Sequence, residues 1–193
     1  MKPFHLLFVS FVFFSSIVRQ TRQTSQSSPC VCTTVECPKE GSNHVIMGNG
    51  SAILDYVYTS HEDHEVVVSA QGTITTDALD HGSGTTSCTQ KYSRMLEDDG
   101  DQDCDAGHIL AHRLGGYGNL PVNIFPQNAG VNRGVFAQFE GYIYDYLNGG
   151  NAKEATLQWE FFYRSNTHTM PFLVNYSAVF DDGYTLQSMF RNE

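Results

Sequence analysis

Positive charge is scarce in this chain. Eleven Lys and Arg residues face twenty-one Asp and Glu, a formal net charge of −10. That balance excludes a protein that holds nucleic acid through broad surface electrostatics. Long apolar runs are scarce too. The one at the start, Phe4 to Val18, follows Lys2 and ends in small residues. This is the pattern of a secretory signal peptide, too short for a comfortable membrane span. Residues 1–20 are assigned to it, with cleavage expected between Ser16 and Ser28, so the mature protein is expected outside the cell. No other stretch is apolar enough to cross a bilayer, and no stable membrane association is expected. Cysteine is sparse and odd in number: Cys30, Cys32, Cys37, Cys88 and Cys104. No second Cys-x-x-Cys pair completes Cys30, Cys32, Cys37 and His44 into a zinc cluster. In an oxidising compartment disulfides are the expected fate, with one thiol left over. The chain has no internal repeat.

What is present divides into an arm and a domain. Residues 21–51 are rich in Ser, Thr, Gln and Cys and read as an extended, cross-linked arm. Residues 52–190 form the domain. Ile53–Tyr58, Val66–Ala70 and Thr73–Thr75 are β-rich runs. Gly107–Leu110 and Leu120–Phe125 are short strand candidates around a glycine-rich loop, with Pro126 stopping the second. Val131, Val135, Phe136, Phe139, Tyr142, Ile143, Tyr146 and Leu147 then recur at spacings of three and four. They predict one amphipathic helix over 128–148, capped by Asn128 and ended by Gly149-Gly150. Leu157–Tyr163 and Pro171–Phe180 return to strand, before a turn at Asp181-Asp182-Gly183. Strands, one long helix, then strands give an α+β class. Two sequons, Asn49-Gly50-Ser51 and Asn175-Tyr176-Ser177, permit glycosylation in a eukaryotic host.

Acid is concentrated from Glu97 to Asp105. Alternating Asp99, Asp101, Asp103 and Asp105 imitate a calcium loop. It fails as an EF-hand, because Cys104 stands where Gly is needed and Leu110 where the bidentate Glu belongs. The run ends in Asp105-Ala106-Gly107-His108. A histidine titrates near neutrality and can serve as a general base. Gly107 permits a backbone approach that a side chain would block. Asp105 can orient the histidine or steady its loop. On the predicted helix Asn132 and Glu140 are eight residues apart, about 80° out of phase, and share a face. An amide oxygen with a nearby carboxylate suits a magnesium ion that keeps most of its waters. Arg133 and Arg113 can offer a guanidinium to a phosphate. Together these are a base for water and a seat for a divalent cation, the equipment for phosphodiester hydrolysis.

The spacing Asp105-Ala106-Gly107-His108, then Asn123-Ile124-Phe125-Pro126-Gln127 running to Asn132, then Glu140, resembles the DNA/RNA non-specific endonucleases of the ββα-metal (His-Me finger) class. The close match covers Asp105 to Leu147, and a weaker one runs from about Tyr56 to Gly183. Ala106 and the Leu114-Gly115-Gly116 loop look more like the toxin-type branch. The resemblance implies a strand-loop-strand-helix finger packed on an antiparallel sheet. It implies His108 as general base, Asn132 as direct ligand of magnesium (or manganese in its place), and Glu140 as holder of metal-bound waters. Asn123 and Gln127 would position the loop and the hydration shell. The implied substrate is DNA, RNA or both, cut with little base preference.

Two positions depart from the family pattern. Ala106 replaces an arginine of D-R-G-H, and Tyr144 replaces an arginine one turn after the family's glutamate. Lys91 and Arg94 are candidates for an upstream cation. A groove of Arg94, Arg113, Arg133 and Arg164 would have to overcome the global charge. The competing reading is a secreted binding protein on a catalytically weak nuclease scaffold. A zinc protease is a poor fit: His108 and His112 have the spacing, but no Glu follows the first histidine and two glycines break the required helix.

Overall fold

Strict alternation of apolar and polar residues builds the sheet. In Glu154–Phe162, every second residue from Ala155 to Phe161 is buried and its neighbours are exposed, which is the period of a strand with one face on a core. The structure is a computed structural model and describes residues 44–61, 64–96 and 104–193. Six antiparallel strands lie in the order β1-β2-β3-β6-β7-β8. They are β1 (His44–Asn49), β2 (Ala52–His61), β3 (His64–Thr75), β6 (Glu154–Phe162), β7 (Leu173–Phe180) and β8 (Thr185–Arg191). A second, two-stranded ribbon pairs β4 (Asp105–His108) with β5 (Ile124–Gln127). With the helices below, this is an α+β domain.

Strands β3 and β6 are hydrogen-bonded neighbours although the chain between them runs from 76 to 153. That excursion carries α1 (Ser87–Met95), the β4–β5 ribbon and the long helical segment. Thr76 N–H donates to the Lys153 carbonyl at 2.9 Å and closes its base. The site-bearing elements are thus one insertion rooted on the sheet. Helix α3 (Ala137–Asn148) lies over the sheet through Phe139, Ile143 and Leu147, which join Leu157, Trp159, Val174 and Tyr176 in one core. Burying such side chains contributes about 1.5–3 kcal/mol each. Asn192 closes the far end. Its amide donates to the carbonyls of Pro126 and Pro171, at 3.0 and 2.8 Å, and its oxygen accepts from Asn128 N–H at 2.8 Å.

Several expectations change. Residues 44–49, read as part of the arm, form an edge strand whose partners run from Val57 to Ala52. The two runs around Gly72 are one strand, because a side chain there would strike the Ile53 carbonyl at 2.3 Å and glycine lets β2 and β3 close. Pro126 does not stop β5 but pairs with Ala106 inside it. A ribbon of two strands leaves each strand with an edge, where a proline is tolerated. The predicted single helix is capped by Asn128 as expected, its Oδ1 accepting from Gly130 and Val131 N–H. It is not continuous: a short α2 (Ala129–Val131) leads into a π turn over Asn132–Phe136 with a kink at Gly134, before α3. Helix α1 was not anticipated. The signal-peptide segment, the arm's Cys30, Cys32 and Cys37, and most of the acidic run lie outside the described residues. Among the described residues no helix is long and apolar enough to cross a membrane.

Candidate active site

Glycine at 107 allows the ribbon to hold the histidine where it is. A side chain there would meet Gln127 Oε1 at 2.2 Å, so the two strands approach closely only around a bare Cα. His108 ends β4 opposite Ile124. Its Nε2 lies 3.1 Å from the Ser83 carbonyl oxygen. A carbonyl can only accept, so Nε2 carries the proton and Nδ1 keeps its lone pair. Burial pushes the imidazole below its usual range, the Ser83 hydrogen bond opposes that, and His112 adds to it. The ring is therefore neutral at pH 7 and able to take a proton.

Asp105 does not touch His108 in the way the sequence suggests. Its carboxylate accepts from Asn132 Nδ2 at 2.9 Å and from Arg133 Nε and Nη2 at 2.8 and 2.5 Å. Burial alone would raise this carboxyl, but the bonds from Arg133 and Asn132, with the Arg133 charge, hold it below the usual range. The consequence falls on Asn132. With Nδ2 committed to Asp105, the amide presents Oδ1 as its remaining acceptor, a hard oxygen of the kind magnesium takes.

His108, Asn132, Arg133, Asp105 and Arg94 line a common cleft of ≈ 470 Å³, together with Gly84, Thr85 and Gln90. Helix α1 contributes Gln90 and Arg94 to its wall. It is started by a Thr86–Thr89 capping pair and tied to β4 by Ser93 Oγ donating to the Asp105 carbonyl at 3.2 Å. The standard capping signature has Glu or Gln at the fourth position. Thr89 hides the signal, so helix α1 and its wall are not legible in the sequence.

The other predicted residues are placed differently. Asn123 is 1% exposed and does not face the cleft. It accepts from Leu110 N–H at 2.9 Å and Tyr56 Oη at 3.0 Å, and donates to the carbonyls of Leu110 and Tyr117 at 3.1 and 3.3 Å. It is the knot of the loop between the two strands. Gln127 is equally buried and packs on Gly107. Glu140 sits in the first turn of α3 with Oε1 sealed from solvent and lacking a hydrogen-bond partner. Burial pushes its carboxyl up to about 8, and the Arg113 charge pulls against that. Arg113 itself lies over the Tyr144 ring, 4.0 Å from its centroid, and Arg164 pairs with Glu193. The expected groove of four arginines is therefore not formed: Arg94 and Arg133 line the cleft, and Arg113 and Arg164 are engaged elsewhere.

A histidine closing one strand of a two-stranded ribbon and an amide at the head of the helix that follows are brought to one cleft. The model of the DNA/RNA non-specific endonuclease family matches residues 51–178, and the chain belongs to that family. A curated relative, the probable deoxyribonuclease RhsA of Dickeya dadantii (strain 3937), is 36% identical over 133 residues. The match covers 69% of this chain and 9% of that much longer protein. Two solved structures are similar in fold. NucA from Streptococcus agalactiae, with magnesium ion bound, has a TM-score of 0.49 at 14% identity, covering 83% of this chain and 78% of its own. Sda1 nuclease, with bound zinc ion, has a TM-score of 0.49 at 15% identity, covering 78% and 90%.

Proposed function

We propose that this protein is a secreted, metal-dependent endonuclease that hydrolyses phosphodiester bonds of DNA, RNA or both with little sequence preference. One observation carries the reading: His108, its Nε2 committed to the Ser83 carbonyl, and Asn132, its Nδ2 committed to Asp105, line the same cleft. Magnesium fits an amide oxygen such as Asn132 Oδ1, because this ion keeps most of its waters, and Glu140, whose buried Oε1 has no hydrogen-bond partner, would be the residue to hold them. When bound, it supplies charge neutralisation at the phosphate and the leaving oxygen. The chain's own residues do the rest. His108 Nδ1 takes the proton of the attacking water, and the Ser83 carbonyl fixes the ring and its tautomer. Asp105 holds the Asn132 amide in one orientation. Arg94 and Arg133 meet the phosphate.

Secretion is part of this reading. It rests on the leading apolar run and on cysteine chemistry: Cys88 is disulfide-bonded, while Cys104 is a buried thiol beside Ser93 Oγ. The assay is nicking of supercoiled plasmid, with magnesium and with chelator. Wild type should nick only with the metal, and His108→Ala should lower the rate by roughly 10²–10⁴-fold. A folded wild type that cleaves neither DNA nor RNA would sink the enzyme reading and leave the nuclease-fold binding protein.

A further inference from the structure

The carbonyl that holds His108 belongs to a loop. Ser83 lies between the sheet and α1, outside any helix or strand, and something else has to fix it. Its only ladder partner is Tyr117, through an isolated parallel bridge. Ser83 N–H donates to the Gly116 carbonyl at 2.9 Å, and Gly118 N–H donates to the Ser83 carbonyl at 2.9 Å. The Ser83 oxygen therefore accepts twice, from Gly118 N–H and from His108 Nε2–H at 3.1 Å, which uses both of its lone pairs. Gly118 N–H also reaches Ser83 Oγ at 3.2 Å. This approach needs a bare Cα at residue 118. A side chain there would meet the carbonyl carbon of Gly84 at 2.4 Å and the nitrogen of Thr85 at 2.5 Å, backbone atoms that cannot swing aside. Residues 117 and 118 are held from behind as well. The Gly118 carbonyl accepts from Thr89 Oγ1 of α1 at 2.7 Å, and Thr89 is wholly buried. The Tyr117 carbonyl accepts from Asn123 Nδ2 at 3.3 Å, and its hydroxyl accepts from Asn49 Nδ2 of β1 at 3.1 Å. Helix α1, the turn before β5 and strand β1 thus pin one short stretch, and that stretch carries Ser83.

We propose that Gly118 is a positioning residue for His108: its N–H and its missing side chain set where the Ser83 carbonyl stands, and that carbonyl sets where the imidazole stands. Gly118 is buried and touches neither the histidine nor the cleft, so it acts only through Ser83. The inference rests on the nuclease reading above.

The test compares wild type with Gly118→Ala, Ser83→Ala and Leu157→Val. Each is assayed for steady-state cleavage with magnesium, at a temperature where circular dichroism shows it folded. Each is also observed by proton NMR in chelator. A hydrogen-bonded, half-buried imidazole N–H gives its own slowly exchanging downfield signal, assigned to His108 by its absence in His108→Ala. Gly118→Ala should lose that signal and lower kcat roughly 10–100-fold, the size expected when a reacting group is misplaced by about 1 Å or less. KM should stay near wild type. Ser83→Ala keeps the carbonyl and loses only the Oγ bonds to Gly118 and Asn119; its kcat should fall between the two, with a weakened signal. Leu157→Val removes one methylene from the buried core on β6. It should lower the melting temperature and leave both kcat and the signal in place. Wild-type kcat in Gly118→Ala would overturn the proposal, as would a loss of kcat with the signal intact. The same losses in Leu157→Val would overturn it too, by making them a general effect of stability. If Gly118→Ala does not fold, Ser83→Ala decides on the same criteria. Failure of wild type to cleave would count against the nuclease reading, and the NMR comparison would still decide the role of Gly118.

Discussion

One backbone carbonyl decides which nitrogen of His108 can act. Because the Ser83 carbonyl accepts a hydrogen bond from Nε2–H, Nδ1 is the nitrogen left for the proposed base, and because burial disfavours the imidazolium, the neutral form survives into mild acid. The sign follows directly. A histidine whose pKa is lowered in the folded enzyme stays neutral below its ordinary value near 6.5, so activity should persist there and fall only at lower pH. A single-turnover pH–rate profile for plasmid nicking should have its acid limb centred below 6.5. A midpoint at or above 6.5 would show that burial does not set this group. The same shift makes the folded state lose stability as pH falls from 6.5 through the His108 pKa, since the unfolded chain then binds the proton first. The histidine, the amide and the glutamate were all legible in the sequence as types in an order. The Ser83 carbonyl was not, because a main-chain acceptor has no residue letter.

Among the elements, the β4–β5 connection depends on Asn123. Its four hydrogen bonds join both ends of the loop to each other and to Tyr56 on β2. Asn123→Ala would remove the partners of Leu110 N–H, the Leu110 carbonyl and Tyr56 Oη, while the Tyr117 carbonyl keeps Leu120 N–H at 3.4 Å. At about 1–3 kcal/mol for such an unsatisfied group, unfolding in urea should show a loss of at least that size with an unchanged m-value. A loss below 0.5 kcal/mol, roughly the scatter of neutral surface changes, would mean that water replaces the amide. Resemblance gave Asn123 the loop and the hydration shell to position; at 1% exposure its side chain bonds the loop at Leu110 and Tyr117. The helix was legible by its apolar spacing, its Asn128 cap and its glycine end. Its π turn was not, because an inserted residue leaves the pattern of apolar positions nearly intact while shifting the phase between Asn132 and Glu140.

Across the whole molecule the charge of −10 has to be weighed against how few cations reach the cleft. Four arginines on phosphates would give a slope of log K against log salt of about −4 on duplex DNA. Arg113 and Arg164 are committed to other partners, and Arg133 shares its charge with Asp105. Binding in chelator, followed by anisotropy over a range of salt, should therefore give a slope of only about −1 to −2. A slope near −4 would require the arginines to leave their present partners on binding. The strands of the central sheet were largely readable from alternation. Which strands flank the insertion was not, since the pairing of β3 with β6 joins residues far apart in sequence.

The Asn192 latch reaches beyond folding. This side chain, 2% exposed, grips the Pro126 carbonyl and the backbone of the helix-capping Asn128, so the site's helix begins against the last residues of the sequence. A purification tag, a fluorophore or a fusion partner joined at Glu193 sits one residue from the fastening of the helix that carries Asn132. A spacer there leaves that fastening undisturbed.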